Sequence, residues 1–261
     1  MTNNPTFLSN DPIVGGTMIA GKIPLMTILP SNKVQALPHD LLIIYGGTTE
    51  PNFRFVVRNN WGEPLARLGF TVYCFDFQSN LPKNNFYDFG LWDRTVDAIR
   101  VLRWLLDKPF GKPLTLIGVS MGGHIATQLA GEFGNSISNL ILVAPAAYHD
   151  RAIRPSIKFS PTADGEFTRI LRDENAYPWR ESSIFTVARN MVRARPHIMA
   201  FCEDEVVKEI PFAYFEHFVR GQAVADRPAP SITVFPGRHA GNFADSQRIA
   251  LILDHIADFL R

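Results

Sequence analysis

The chain has 261 residues, 46% of them hydrophobic, with 26 Lys and Arg against 25 Asp and Glu. That length and apolar content suit one sizeable core in a single domain spanning 1–261, and a net charge near zero gives no electrostatic footprint for nucleic acid or an anionic membrane surface. No apolar stretch approaches the roughly 20 residues that a membrane helix needs.

Residues 1–12 read as a loose arm. The opening Met1-Thr2-Asn3-Asn4-Pro5 has no basic region and no apolar run of signal-peptide length, so a cytoplasmic protein is expected. Ile13–Ala20 and Ile23–Leu29 read as edge strands. Leu41–Tyr45 is a fully apolar strand that stops at Gly46-Gly47. A helical pattern over Phe53–Leu68 ends at Gly69, a C-cap residue. Phe70–Phe75 is the next strand and closes at Asp76. Trp92–Leu106 reads as a helix with Val96, Ile99, Leu102 and Leu106 inward. Leu114–Ile117 is a strand that runs into Ser120, and the helix after it places Ile125, Leu129 and Phe133 on one face. Leu140–Ala144, His197–Cys202 and Ile232–Phe235 are further strands, with a helix over Val206–Val219. A last helix carries the apolar stripe Ile249, Ile252, Leu253, Ile256 and Phe259. Cys74 and Cys202 both lie in apolar strand-like runs and read as buried thiols.

Strand and helix alternate, and the strands are continuously apolar. This pattern predicts an α/β fold with a mostly parallel sheet covered on both faces. Residues 145–195 break the rhythm with prolines, aromatics and nine Lys/Arg against six Asp/Glu. They read as a small lid insertion over the strand ends, with Phe77, Tyr148, Phe159, Trp179 and Phe185 available to line an apolar pocket. The sequence holds no GxxxxGK[ST], no GxGxxG after a strand, no HExxH and no metal-ligand spacing of His or Cys, so neither a metal nor an organic cofactor is expected.

The chemistry concentrates at Gly118-Val119-Ser120-Met121-Gly122. A serine on a sharp strand-to-helix turn is a nucleophile elbow, and small residues two before and two after relieve the crowding of that turn. A serine hydroxyl needs an imidazole to take its proton, and the imidazole needs a carboxylate to orient it. His239 is the best base, in Gly237-Arg238-His239-Ala240-Gly241 directly after the last strand. His39 precedes a strand, His124 is too close to Ser120 in sequence, and His217 and His255 sit in helices; His149 and His197 are harder to dismiss. The acid is Asp204, in Glu203-Asp204-Glu205 ahead of Val206-Val207, although three adjacent acids leave the choice ambiguous. Two backbone N–H groups must receive the oxyanion. Met121 supplies one, and Gly47 the other, with Thr48 as the alternative.

Taken together these residues resemble the α/β-hydrolase superfamily over nearly the whole chain. The resemblance is carried by Tyr45-Gly46-Gly47-Thr48, Asp76, Gly118–Gly123, Asp204 and Gly237-Arg238-His239. It implies the α/β-hydrolase fold and the triad order Ser, acid, His. Two departures stand out. Tyr45 occupies the position of the family's usual His before the oxyanion residue, and Phe77-Gln78-Ser79-Asn80 replaces its usual Arg-Gly-x-Gly-x-Ser. The small insertion is similar to those of minimally capped esterases and of the acylpeptidase-like branch. Ser120 in place of Asp excludes the haloalkane dehalogenases. The expected activity is hydrolysis of a carboxylic ester, or a related acyl bond, of a small molecule through an acyl-enzyme. Acyl transfer by the same triad, or a triad-bearing receptor that binds a small ligand with little turnover, are the alternatives.

Overall fold

The computed structural model describes residues 11–108, 112–162, 164–172, 179–223, 227–239 and 245–261, so most of the expected N-terminal arm lies outside the described residues. Eight strands form one sheet in the order β1-β2-β4-β3-β5-β6-β7-β8. In chain order they are β1 (Ile13–Ile19), β2 (Ile23–Leu29), β3 (Asp40–Ile44), β4 (Thr71–Phe75), β5 (Leu114–Val119), β6 (Ile137–Val143), β7 (Arg195–Phe201) and β8 (Ser231–Phe235). β1 and β2 run antiparallel and β2 joins β4 antiparallel; every pairing from β4 through β3, β5, β6 and β7 to β8 is parallel. Only β1 of the first pair is therefore an edge strand. β2 is paired on both sides, as the burial of Ile23, Leu25 and Ile28 reflects.

All residues of β4 and β5 are buried, as their continuous apolar runs require of strands covered on both faces. The covering helices are α1 (Arg54–Val57), α2 (Glu63–Arg67), α3 (Leu91–Leu106), α4 (Met121–Phe133), α5 (Glu166–Arg172), α6 (Ser183–Asn190), α7 (Ile210–Gln222) and α8 (Ser246–Leu260). Seven of them form two packed groups. The α1–α2 segment meets α8, while α3, α4, α6 and α7 pack in series.

The expected single helix over Phe53–Leu68 is interrupted by a π-turn at Arg58–Gly62. Pro64, at the start of α2, has no N–H to donate, and its ring crowds the turn before it. The turn widens so that Glu63 N–H bonds Arg58 O, five residues back. The inward face of α3 also differs from the hydropathy reading. Leu91, Arg94, Thr95, Asp97, Ala98, Val101, Leu102 and Leu105 are buried, whereas Val96, Ile99 and Leu106 are only partly covered. Arg94 and Asp97 are inside because polar partners meet them there, which a hydrophobic pattern cannot register.

The helix expected from Val206 begins instead at Ile210. Asp204 accepts from Val206 and Val207 N–H as a helix cap would, but Lys208 takes a left-handed φ of 44° and breaks the turn before a helix can propagate from it. Of the two cysteines, Cys74 is buried and Cys202 is exposed. Cys202 follows the last residue of β7 and turns outward with Glu203. Within 145–195 no strand precedes Arg195 among the described residues, and α6 packs into the helix layer with α4 and α7. No described helix is long and apolar enough to cross a membrane.

Candidate active site

Ser120 joins β5 to α4, as the cap residue of that helix, with φ 54° and ψ −120°, a conformation few non-glycine residues adopt. Its surroundings hold it there. Its N–H donates to Val143 O at 3.0 Å, and its carbonyl accepts from Gly123 and Ala146 N–H at 2.9 Å each. The two glycines of the elbow are required by contact. A Cβ on Gly118 would lie 2.6 Å from Gly122 O, and one on Gly122 would lie 1.9 Å from Ile44 O. The elbow therefore presses β3, β5 and α4 together backbone to backbone.

Parallel pairing of β5 through β6 and β7 to β8 brings the ends of these strands to one rim of the sheet. Asp204 follows β7, and His239 follows β8. His239 Nε2 lies 2.9 Å from Ser120 Oγ, and His239 Nδ1 lies 2.8 Å from Asp204 Oδ2. The neutral imidazole with its proton on Nδ1 satisfies both contacts, donating to the carboxylate and accepting from the hydroxyl. The other oxygen of Asp204 accepts from Val206 and Val207 N–H at 2.9 Å each. Burial alone would raise the Asp204 carboxyl, but the bonds from His239 and from the Val207 and Val206 amides outweigh it and hold its pKa below the ordinary carboxylate value. Glu203 and Glu205 are exposed, so of the three adjacent acids only Asp204 reaches the histidine.

Three other histidines are engaged elsewhere. His124 Nδ1 accepts from Tyr148 N–H at 3.3 Å, His149 Nδ1 from Arg151 N–H at 3.2 Å, and His197 Nδ1 lies 2.7 Å from Ser231 Oγ. Ala240 and Gly241, which follow His239, lie outside the described residues. Gly237 takes a φ of 113° that turns the chain from β8 toward His239.

A cavity of about 780 Å³ opens over this array, and Gly46, Gly47, Thr48, Ser120, Met121 and His239 all line it. The β3 turn and the start of α4 touch at Gly46, where a Cβ would lie 2.2 Å from Met121 Cβ. Gly47 has φ 75° with open space at its Cα, so the turn after β3 faces the cavity. The far wall is aromatic. Phe53, Phe86, Tyr87, Tyr148, Phe159 and Phe167 line it, with Phe86 stacked on Phe159 at 4.9 Å and Phe167 edge-on to Phe159 at 4.9 Å. Of the aromatic residues expected there, Tyr148 and Phe159 are present. Phe77 lies buried behind the wall against Tyr45, and Trp179 and Phe185 line a separate groove with Phe212 and His217.

Two buried polar arrangements escape a sequence reading. Tyr45, in the position of the family's histidine, donates its hydroxyl to Asp76 Oδ1 at 2.9 Å, and Arg54 N–H reaches the same oxygen at 2.8 Å while its guanidinium pairs with Oδ2. Burial and the adjacent Asp76 push the Tyr45 phenol well above its ordinary pKa, so it stays a neutral donor. Behind the Gly47–Glu50 turn, Ser79, Asn80 and Arg94 form a second network. No group of described His, Cys, Asp and Glu residues could hold a metal ion.

The family model for the alpha/beta hydrolase fold matches residues 41–179. The chain belongs to that family. Among solved structures, it resembles brefeldin A esterase, a bacterial homologue of human hormone-sensitive lipase, at 19% identity and a TM-score of 0.67, covering all of this chain and 79% of that one. Est1E from Butyrivibrio proteoclasticus with ferulic acid bound gives 18% identity and a TM-score of 0.62, over 94% of this chain and 97% of that one. A Bacteroides ovatus protein assigned as a dipeptidyl aminopeptidase IV gives 16% identity and a TM-score of 0.66; this alpha/beta hydrolase covers only 37% of its length, with 99% of its own chain matched. No curated protein sequence matches the chain.

Proposed function

We propose that this alpha/beta hydrolase cleaves a carboxylic ester of a small molecule through a Ser120 acyl-enzyme. The observation that supports the reading is the unbroken series Ser120 Oγ, His239, Asp204, with contacts of 2.9 and 2.8 Å, at the mouth of a cavity. Ser120 Oγ adds to the ester carbonyl as its proton passes to His239 Nε2. The carbonyl oxygen becomes an oxyanion between the N–H groups of Gly47 and Met121, the latter at the positive end of α4. Collapse breaks the ester bond, and His239 returns the proton to the departing alcohol. A water molecule, deprotonated by the same imidazole, then adds to the acyl carbonyl; collapse releases the acid and restores Ser120. Asp204 keeps His239 in the correct tautomer and stabilises its cation.

The aromatic wall favours an ester with an aryl group, since flat rings stack there with little loss of freedom. A structural neighbour that carries ferulic acid, itself an aromatic acid, agrees with this reading. Within the 145–195 stretch of a single domain, Tyr148, Phe159 and Phe167 contribute the inner surface of a cover over the site, while α6 belongs to the helix layer.

Purified protein treated with a fluorophosphonate probe and weighed intact gains one adduct, and Ser120→Ala and His239→Ala do not. Asp204→Asn lowers kcat by about 10³–10⁴ on an aryl ester. A folded wild-type protein that resists the probe would overturn the hydrolase reading.

A further inference from the structure

Arg94 has no solvent exposure and no carboxylate within ion-pair distance among the described residues; Asp97, the nearby acid that attracts it, is bonded instead to Gln78. A fully buried arginine with no carboxylate in direct contact is rare, because desolvating a guanidinium is costly and an apolar residue would pack there at less expense. What Arg94 touches accounts for its charge being retained. One terminal nitrogen, Nη2, donates to Thr48 O at 3.0 Å and to Asn80 Oδ1 at 2.9 Å, and Nε donates to Ser79 Oγ at 3.0 Å. The other, Nη1, lies 3.6 Å from Met121 Sδ. Asn80 reinforces the grip, with Nδ2 donating to Thr48 O at 3.0 Å and Glu50 O at 2.9 Å. Phe77, Phe86 and Phe159 pack their rings around the guanidinium carbon at 4.9, 5.0 and 5.1 Å.

One cation thus spans the two segments, Gly47–Thr48 and Met121, that come from different strand ends and would each supply an oxyanion N–H. We propose that Arg94 is a positioning residue for the oxyanion hole. It fixes the spacing of the two donors and sets a positive charge one layer behind the point where negative charge develops. This rests on the esterase reading above. The stabilisation is larger for the tetrahedral oxyanion than for the neutral ester, so its loss falls on kcat rather than on KM.

The test uses p-nitrophenyl acetate turnover and inhibition by phenyl trifluoromethyl ketone, whose adduct on Ser120 carries an oxyanion. Arg94→Met removes the charge at similar length; Arg94→Lys keeps the charge and loses the fork. Arg94→Met is expected to lower kcat about ten- to hundred-fold with KM within about two-fold, and to weaken the ketone by the same factor. Arg94→Lys recovers part of both and serves alone if the methionine variant does not fold. Variants that match the wild type in kcat and in ketone affinity overturn the proposal, as does a loss of kcat with ketone affinity unchanged. Failure of the wild type itself to label with fluorophosphonate or to turn over would instead sink the esterase reading, so the two failures are separable.

Discussion

At the residue scale, Gly122 and Gly47 both border the proposed nucleophile, yet they are glycines for different reasons. Gly122 leaves no room, since a Cβ would meet Ile44 O at 1.9 Å and Ile44 C at 2.6 Å. Gly47 has room but needs φ 75°. Gly122→Ala should therefore force β3 and α4 apart, costing about 1–3 kcal/mol of stability and abolishing fluorophosphonate labelling. Gly47→Ala should cost about 1–2 kcal/mol of local strain while the fold and some labelling persist. Urea midpoints measured beside labelling rates separate the two; equal losses for both variants would contradict this account. The contrast at Glu203, Asp204 and Glu205 is also a matter of single residues. Three neighbouring acids look alike in sequence, and only the turn that bonds Asp204 to Val206 and Val207 aims one of them inward.

At the scale of elements, helix starts depend on local bonds that a hydrophobic pattern does not contain. α8 begins at Ser246 because the carboxylate of Asp245 accepts from Gln247 and Arg248 N–H, both at 3.1 Å. Asp245→Ala should lower stability by about 1 kcal/mol, read as a shift of the urea midpoint at unchanged slope. An unshifted midpoint would mean that the apolar stripe of α8 alone sets its start. α7 illustrates the opposite case. Its first expected turn is taken by the Asp204 loop, so the helix yields four residues to the site. On α3, the helix itself is evident from its period, but its rotation is not. Arg94 and Asp97 turn inward because the Thr48–Glu50 and Phe77–Asn80 loops offer them acceptors and donors, whereas the buried Thr95 hydroxyl donates to Leu91 O within the helix at 2.9 Å.

Across the whole molecule, buried histidines couple the fold to pH. Burial pushes His124 down to about 4, and burial together with the neighbouring His255 and Arg195 does the same for His197, from an ordinary 6.5. Both are neutral in the folded state, so the unfolded chain binds more protons between pH 6.5 and 4. Stability is full above pH 6.5 and falls as the pH drops through that window, by about 1.4 kcal/mol per pH unit for each histidine. Asp204 acts lower down. Its depressed carboxyl stabilises the fold above the ordinary carboxylate value, and that contribution is lost as the pH falls through the folded value. Unfolding free energies of wild type and His124→Asn at a series of pH values check the first claim. The variant should lose about one proton's worth of slope, and an unchanged slope would place the titration elsewhere.

What the sequence by itself determined is the order of the strands and of the helices outside 145–195, the α/β class and the strand-to-helix turn at Ser120. These follow from short-range facts: apolar periodicity, glycine's missing Cβ and a strand that breaks at a serine. It also pointed to His239, because a histidine after the last strand sits at the rim where parallel strands end. Tertiary structure decided which of three acids meets that histidine, which aromatics face the cavity, and that Phe77 does not. It alone turned Arg94 and Tyr45 into buried donors. Those outcomes depend on partners 31 to 46 residues away, Asp76 for Tyr45 and Thr48 for Arg94, and hydropathy counts a buried, satisfied arginine as a surface one.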